Sequence, residues 1–396
     1  MKSKFLSLTA SEFFLRGTKF LFFLILTNFY SSNVVYEYGY FTAFFSILFV
    51  LSDFGYQTYL IKELSQKKSF SNYMHCINIS LFRVGLFILV SLIPLIYYIF
   101  TKKEFFIFIF ILFFVDTIVS MSFAFYRALG RYNKEIKLKF IMGFVFIFVS
   151  YLGFLGINVY LLFTFLVSVL LIYSLYEARY IQKKYISFFV HKFTLKIFFE
   201  SFDKTLFIFL ASLATIAYLR IDILMLEWFG FVDGVIYYTI ASRVLELTLV
   251  FPTIISAFLL PRLVQGTVPN HQKELFQHFF IGLSVMLLFL FLSNFIISQL
   301  FADYNQTIVI LNILLFTIPF MLLNNYGFTY FVAKNSSKNY FLITIIMLLL
   351  NLILNIIFIT KYGYIAAAYT TLATEVLGSF IIVYVLRKKI IDIEKF

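Results

Sequence analysis

The chain has 396 residues, of which 62% are hydrophobic and only 13% are charged, and its mean hydropathy is +0.96. A soluble fold needs a charged exterior, so this composition excludes a soluble globular protein and predicts an all-α integral membrane protein. The single cysteine, Cys76, excludes an intramolecular disulfide and a thiolate metal cluster. The net charge of +13 is compatible with nucleic-acid binding only if the basic residues do not follow membrane topology.

Twelve apolar segments are long enough to cross a hydrocarbon core, which takes roughly 20 helical residues. The predicted spans are 8–30, 38–61, 76–100, 105–126, 138–157, 159–178, 204–227, 235–260, 277–301, 307–332, 339–360 and 363–386. Their length favours helices over barrel strands, which alternate over about 10 residues. The N-terminus lacks a small-residue cleavage site, so we assign it to the first span and not to a signal peptide.

Basic residues are unevenly distributed between the two sides of these spans. With the N-terminus inside, 23 of the 32 Lys and Arg fall on cytoplasmic ends and loops, and three fall in outer loops. This asymmetry predicts that both termini face the cytoplasm. It also argues against a nucleic-acid partner, because the basic residues follow topology and anionic membrane lipid.

The longest cytoplasmic connection, about 179–203, separates two sets of six predicted spans. It mixes basic and aromatic residues, as an interfacial amphipathic helix would. Weak echoes link the halves: the sixth span opens with LGINVYLLFTFLVS and the twelfth with YGYIAAAYTTLATE. Parallel repeats of six helices are a known transporter plan. We therefore predict two six-helix lobes, 1–190 and 191–396.

Charged residues in the first span are candidates for binding an anion. Glu12 and Arg16 are four residues apart and can pair on one helix face. Arg16 and Lys19 are three apart, which places two cations on one face. That arrangement is unfavourable unless an anion lies between them or Lys19 extends toward the interface. Arg16 and Lys19 are therefore predicted substrate-binding residues.

The seventh span contains Arg220 and Asp222, which point to nearly opposite sides because they are two residues apart. Counting the helical rise from the turn near Phe231 places both at the depth of Arg243 in the eighth span. We predict that Asp222 pairs with Arg243 across the two helices and that Arg220 faces elsewhere, as a substrate-binding candidate. Glu246, three residues past Arg243, is the competing structural partner.

Three further acidic residues lie inside apolar spans: Asp53, Asp116 and Glu375. Each is a candidate for coupling transport to a cation, either a proton or sodium. The alternative for each is a neutral carboxyl group that hydrogen-bonds to a neighbour.

The seventh and eighth spans resemble those of Wzx-type polysaccharide flippases, in the multidrug/oligosaccharidyl-lipid/polysaccharide exporter superfamily. The residues that carry the resemblance are YLRIDILMLEWFGFVDGVIYYTIASRVLELTLVFPTIISAFLLPRL. They give an aromatic-Arg-x-Asp near the end of one span, a Gly-x-Tyr-type turn, then Ala-x-Arg and a Pro-Arg exit. NLILNIIFITKYGYIAAAYTTLATE and YGYFTAFFSILFVLSDFGYQTYLIKEL resemble the family's eleventh-to-twelfth and second spans, so the resemblance covers nearly the whole chain.

The resemblance implies two lobes around a central cavity that opens alternately to each side of a bacterial inner membrane. The implied cargo is a polyprenyl diphosphate-linked oligosaccharide, such as an O-antigen or capsule repeat unit. In the lipid II branch of the superfamily, cavity arginines on spans one and eight handle the diphosphate. Arg16 and Arg243 stand at matching places, although Arg16 is followed by GTK and not by an acidic residue. Other membrane proteins of polysaccharide assembly are candidate partners.

Two other functions compete with a flippase. An ion-coupled drug or metabolite antiporter of the same superfamily would favour cavity acids over arginines. A membrane polymerase or acyltransferase is disfavoured by short outer loops and by the lack of a nucleophile–base set. We therefore predict a transporter and not an enzyme, with no cofactor.

Overall fold

The computed structural model describes residues 2–66, 104–128, 130–181, 195–266 and 270–394, with a few further positions at 86–96 and 183. In this part of the chain, the long regular elements are all α-helices. They are α1 (Lys2–Phe29), α2 (Ser32–Asp53), α3 (Tyr56–Gln66), α4 (Glu104–Ala128), α5 (Tyr132–Phe154), α6 (Val159–Ile181), α7 (Leu195–Trp228), α8 (Val232–Thr248), α9 (Val250–Val264), α10 (His271–Leu300), α11 (Thr307–Leu315), α12 (Ile318–Ala333), α13 (Ser337–Tyr362) and α14 (Ile365–Glu394). The predicted span 76–100 and most of the connection 179–203 lie outside the described residues.

Nine helical segments of the described chain are long and apolar enough to cross a membrane. The number is ten if α11 and α12, which meet at a bend of 47°, form one broken span. The prediction of an all-α, multi-pass membrane protein is confirmed, and the count of twelve is not. The first predicted span lies on α1, which carries Glu12, Arg16 and Lys19 and is not among the nine.

The chain forms two compact units, Met1–Leu213 and Ala214–Phe396, which we call unit 1 and unit 2. Helix α7 passes through the boundary, so its first half belongs to unit 1 and its second half to unit 2. The boundary expected between residues 190 and 191 falls where the structure gives no description, and it stays a prediction.

Unit 1 is held together by aromatic packing between α1, α5 and α6. The Phe22 ring meets Phe146 and Phe163 edge-on, with centroids 5.7 and 5.5 Å apart. Helices α1 and α5 approach closely at Gly143, where a β carbon would lie 2.3 Å from the Phe14 ring. Small residues at such crossings let membrane helices pack without voids. The close contact places the charged residues of α1 directly against α5.

The second predicted span, 38–61, is not one continuous helix. Helix α2 ends at Asp53, and Phe54 and Gly55 adopt left-handed conformations with φ of 49° and 74° before α3 begins. The Phe54 ring stacks on Phe209 of α7, with centroids 4.2 Å apart. A β carbon at Gly55 would lie 2.9 Å from the Phe209 backbone nitrogen. The prediction of an uninterrupted span was therefore wrong, because packing against α7 fixes the break.

We expect Gly55→Ala to lower the unfolding temperature more than Gly156→Ala. Both glycines have positive φ, but a β carbon at Gly156 would meet no atom within 4 Å. The control therefore carries only the left-handed strain of an alanine, about 1–2 kcal/mol, whereas Gly55→Ala adds a backbone clash. Thermal unfolding of the purified proteins in detergent measures the difference. Equal unfolding temperatures would contradict the close approach of Gly55 to α7.

Candidate functional site

Three charged side chains form a cluster between α7 and α8 in unit 2. The two carboxylate oxygens of Glu246 accept from different arginines: Oε1 lies 2.6 Å from Arg220 Nη2, and Oε2 lies 2.8 Å from Arg243 Nη1. Their side chains keep between 18% and 24% of their surface exposed. Two cations and one carboxylate leave this triad with a net charge of +1.

The expected ion pair between Asp222 and Arg243 is wrong. Arg243 pairs instead with Glu246, which was the competing partner in the sequence analysis. The residue of α7 that pairs with Glu246 is Arg220. The depth estimate was sound, because α7 and α8 do meet at this level. The error lay in the direction of the side chains. Residues two apart on a helix are separated by roughly 200° around its axis, so Asp222 points away from Glu246 and toward Tyr238 of α8 and Thr371 of α14.

Asp222 lies in a buried polar cluster of unit 2. Its carboxylate accepts from the Tyr238 hydroxyl, from Thr371 Oγ1 at 2.5 Å and from Asn355 Nδ2 at 2.6 Å. Asn355 Nδ2 also donates to Asn351 Oδ1 at 3.0 Å. The residue is fully buried, and among the described residues none of its hydrogen-bond partners is a cation. A carboxylate surrounded by neutral oxygen and amide groups is chemically able to hold a proton or a small cation.

Glu375 forms a second buried polar cluster in the same unit, one helical turn along α14 from Thr371. Its carboxylate accepts from Tyr218 at 3.1 Å and from Asn324 Nδ2 at 2.5 Å. The Ser379 hydroxyl donates to Asn324 Oδ1 at 3.0 Å, which fixes the orientation of the amide. Glu375 is 1% exposed and its hydrogen-bond partners among the described residues are neutral. These contacts agree with the alternative to ion coupling, in which the carboxyl group hydrogen-bonds to a neighbour. Its role in ion coupling stays a prediction.

Unit 1 contains a longer chain of charges around Arg16. Glu12 accepts from Arg16 Nε at 3.0 Å on one oxygen, and its other oxygen lies 2.7 Å from Lys139 Nζ on α5. Lys139 also lies 2.6 Å from Glu135, which is bound by Arg127 through Nη2 at 2.6 Å and Nε at 2.9 Å. Arg16 thus lies at one end of five alternating charges.

The remaining candidates of unit 1 occupy different environments. Lys19 pairs with Asp116 of α4 at 3.3 Å, and their side chains are 40% and 50% exposed. An exposed pair of charges in the middle of apolar helices requires water rather than hydrocarbon. Asp116 therefore supplies the compensating anion that Lys19 needs. Asp53, expected in mid-span, is instead the last residue of α2, beside the break.

Comparison with solved structures identifies the fold. The outward-facing conformation of a multidrug resistance MATE family transporter of the MOP superfamily has a TM-score of 0.75 and 15% identity, covering 100% of this chain and 97% of its own. A MATE structure in complex with MaL6 has a TM-score of 0.70 and 14% identity, covering 100% and 97%. The lipid II flippase MurJ, in an inward closed conformation, has a TM-score of 0.63 and 21% identity, covering 96% and 87%. The chain has the fold of these membrane transporters.

No family model and no curated protein matches the chain, so the transporter fold is what the comparisons establish. The predicted fold class is thereby confirmed, and the names of the similar structures are those of transporters and a flippase. Within unit 2, the structure brings Arg220, Arg243 and Glu246 together. It separates Asp222 from them.

Two groups of site residues were missed from the sequence. Lys139 is one of the 23 basic residues that the sequence assigns to cytoplasmic ends and loops, because the predicted span begins at 138. Helix α5 begins earlier, at Tyr132, so Lys139 lies inside the helix. The four-residue spacing of Glu135 and Lys139 was the available signal, since it allows a pair on one helix face. The neutral partners of the buried acids, such as Asn355 and Tyr218, gave a weaker signal as single polar residues in apolar helices.

We expect Asp222→Asn to destabilise the protein by about 1–3 kcal/mol, because one buried donor loses its acceptor when an amide replaces the carboxylate. Asp303→Asn is the matched control, since Asp303 is exposed and surface changes cost at most about 0.5 kcal/mol. Unfolding of both variants in detergent is compared with wild type. An Asp222→Asn protein as stable as wild type would show that these donors do not need a carboxylate.

Proposed function

We propose that the protein is a Wzx-type flippase. It moves a polyprenyl diphosphate-linked oligosaccharide repeat unit from the cytoplasmic to the outer leaflet of the bacterial inner membrane by alternating access. The observation that supports this most strongly is that both units place partly exposed arginines on long helices: Arg16 on α1, Arg220 on α7 and Arg243 on α8. Each shares its carboxylate partner with a second cation.

A diphosphate is the part of this cargo that hydrocarbon excludes most strongly, so a carrier must supply compensating charge. The Glu246 triad keeps a net charge of +1, and the chain that ends at Arg16 also contains one more cation than carboxylates. Arginine suits this role because its planar guanidinium offers paired donors to phosphate oxygens. Arg16, Arg220 and Arg243 are therefore the proposed cargo-binding residues, and Lys19 is a further one.

The fold and the charge distribution support the remaining parts of this proposal. One similar structure is named a lipid II flippase, and lipid II is a lipid-linked substrate. The excess of basic residues on one side supports cytoplasmic termini and contact with anionic lipid. Other membrane proteins of polysaccharide assembly are the proposed partners.

An ion-coupled drug or metabolite antiporter is the second candidate, and a specific observation favours it. Asp222 and Glu375 are both at most 1% exposed, and the hydrogen bonds of both come from neutral groups. Buried carboxylates of this kind suit proton or sodium coupling. The similar MATE structures include one named for multidrug resistance. A flippase could also be coupled to an ion through these acids. The two candidate functions therefore differ in the cargo that is moved and not in ion coupling.

We expect Arg243→Ala to abolish surface polysaccharide and to leave lipid-linked repeat units on the cytoplasmic face. Removal of Arg243 takes away the extra cation and leaves Arg220 and Glu246 as a neutral pair. Arg262→Ala is the control, because Arg262 is 47% exposed and pairs with Glu274 at 3.6 Å. Surface polysaccharide and lipid-linked intermediates are measured in cells with matched expression. Normal export by Arg243→Ala would remove this residue from the site.

Deletion of the gene separates the two candidate functions. A flippase predicts the accumulation of lipid-linked repeat units, with drug sensitivity changed only through the altered envelope. An antiporter predicts greater sensitivity to cationic drugs, with normal lipid-linked intermediates. Drug susceptibility and lipid-linked oligosaccharides are measured in the same deletion strain, with the intact gene restored as the control. Drug sensitivity without accumulation of intermediates would overturn the flippase proposal.

A further inference from the structure

A neutral polar cluster joins α9 and α12 in unit 2. The Ser256 hydroxyl donates to Asn325 Oδ1 at 2.5 Å and lies 3.2 Å from Thr329 Oγ1. The Thr329 hydroxyl donates to the backbone carbonyl of Asn325 at 2.8 Å. We call these three residues the Ser256–Asn325 cluster. Its members are all uncharged, which distinguishes it from the Glu246 triad and from the two buried acid clusters.

The side-chain amide of Asn325 uses only one of its two ends. Its oxygen accepts from Ser256, and its nitrogen has no hydrogen-bond partner among the described residues. Turning the amide over would exchange the two ends and still leave one of them open, since the Ser256 hydroxyl can also accept. Asn325 is half-buried, whereas Thr329 is buried. One hydrogen-bonding end of this amide is therefore open at the surface of α12.

The open amide lies at membrane depth. Asn325 is eight residues before the end of α12 at Ala333, and Ser256 is eight residues before the end of α9 at Val264, which is about 12 Å of helix in each case. Both helices belong to segments that are long and apolar enough to cross a membrane. An amide without a partner is costly to place against hydrocarbon. A polar environment is therefore needed on this side of Asn325.

Helix α12 has only a narrow open face. It buries 13 of its 16 residues, and the other three are Phe320, Asn325 and Phe328. Phe328 follows Asn325 by three residues, so their side chains are neighbours on one face of the helix. Aromatic rings beside a small number of placed polar groups are typical of sites for small organic ligands. This face therefore has the composition of a ligand site within unit 2.

The chemistry of the cluster favours a sugar over an ion. The cluster has no charge with which to bind an ion, whereas an amide suits a sugar hydroxyl, which both donates and accepts. Ser256 also lies 13 residues beyond Arg243, about 20 Å along α8 and α9. A diphosphate at Arg243 and a group at Ser256 would therefore be different parts of one extended molecule.

We infer that the Ser256–Asn325 cluster is a subsite for an uncharged sugar of the cargo. Asn325 binds a sugar hydroxyl through the open end of its amide. Ser256 is a positioning residue, because it holds the other end of that amide. This inference deepens the proposed function and rests on it, since it assumes that the cargo contains a saccharide.

The test compares two probes that differ only in their sugars. The first is the lipid-linked repeat unit extracted from the deletion strain, and the second is synthetic polyprenyl diphosphate with the same lipid. Binding to the purified full-length protein is measured by titration calorimetry in detergent. We expect Asn325→Leu to bind the repeat unit about threefold to tenfold more weakly, because one hydrogen bond is lost. Its affinity for polyprenyl diphosphate should equal that of wild type.

Two further variants make this comparison specific. Asn339→Leu is the matched control, since it makes the same change at a half-buried residue in the first turn of α13, outside the cluster. It should bind both probes as wild type does. Ser256→Ala keeps Asn325 but releases its amide, and it decides the test if Asn325→Leu does not fold. We expect it to bind the repeat unit about threefold more weakly, with polyprenyl diphosphate unaffected.

Size-exclusion chromatography checks the folding of each variant. Wild-type affinity of a folded Asn325→Leu protein for the repeat unit would overturn the inference. Equal weakening toward both probes would also overturn it, because the sugar would then not be what Asn325 recognises. A deletion strain that accumulates no lipid-linked repeat unit, or a wild-type protein that binds neither probe, would instead overturn the proposed function.

Discussion

The structure depends on one constraint: a charge inside an apolar helix bundle must be compensated by another group or reached by water. Both units meet it by placing a carboxylate between two cations. Glu12 lies between Arg16 and Lys139, and Glu246 lies between Arg220 and Arg243. In each of these two groups one carboxylate contacts two cations.

Four acids of the helices fall into two groups with different chemical capacities. Glu12 and Glu246 have cationic partners, which favour the ionised carboxylate. Asp222 and Glu375 have hydroxyl and amide groups as their hydrogen-bond partners among the described residues. The first group is suited to holding arginines in place. The second is suited to exchanging a proton or a cation. Unit 2 contains Glu246 from the first group and both members of the second.

Much of the fold was predictable because membrane helices are encoded by long apolar runs. Most predicted spans coincide with helices, and their ends differ by a few residues. The break at Phe54 and Gly55 was not predicted, although the glycine was visible in the sequence. A glycine permits a left-handed turn but does not require one. The left-handed turn is required because Gly55 lies directly against the Phe209 backbone, where a β carbon would clash. That contact joins residues far apart in the chain, so the local sequence does not reveal it.

The sequence by itself determined that this is a multi-pass helical membrane protein, because hydropathy and spacing are local properties. It also showed that Arg220 and Asp222 point to nearly opposite sides of one helix. Only the tertiary structure decided the partners: Glu246 for Arg220, and neutral groups of α8, α13 and α14 for Asp222. It likewise revealed Lys139 behind Glu12. The reason is physical, since the rotation of each helix about its axis is set by packing against its neighbours.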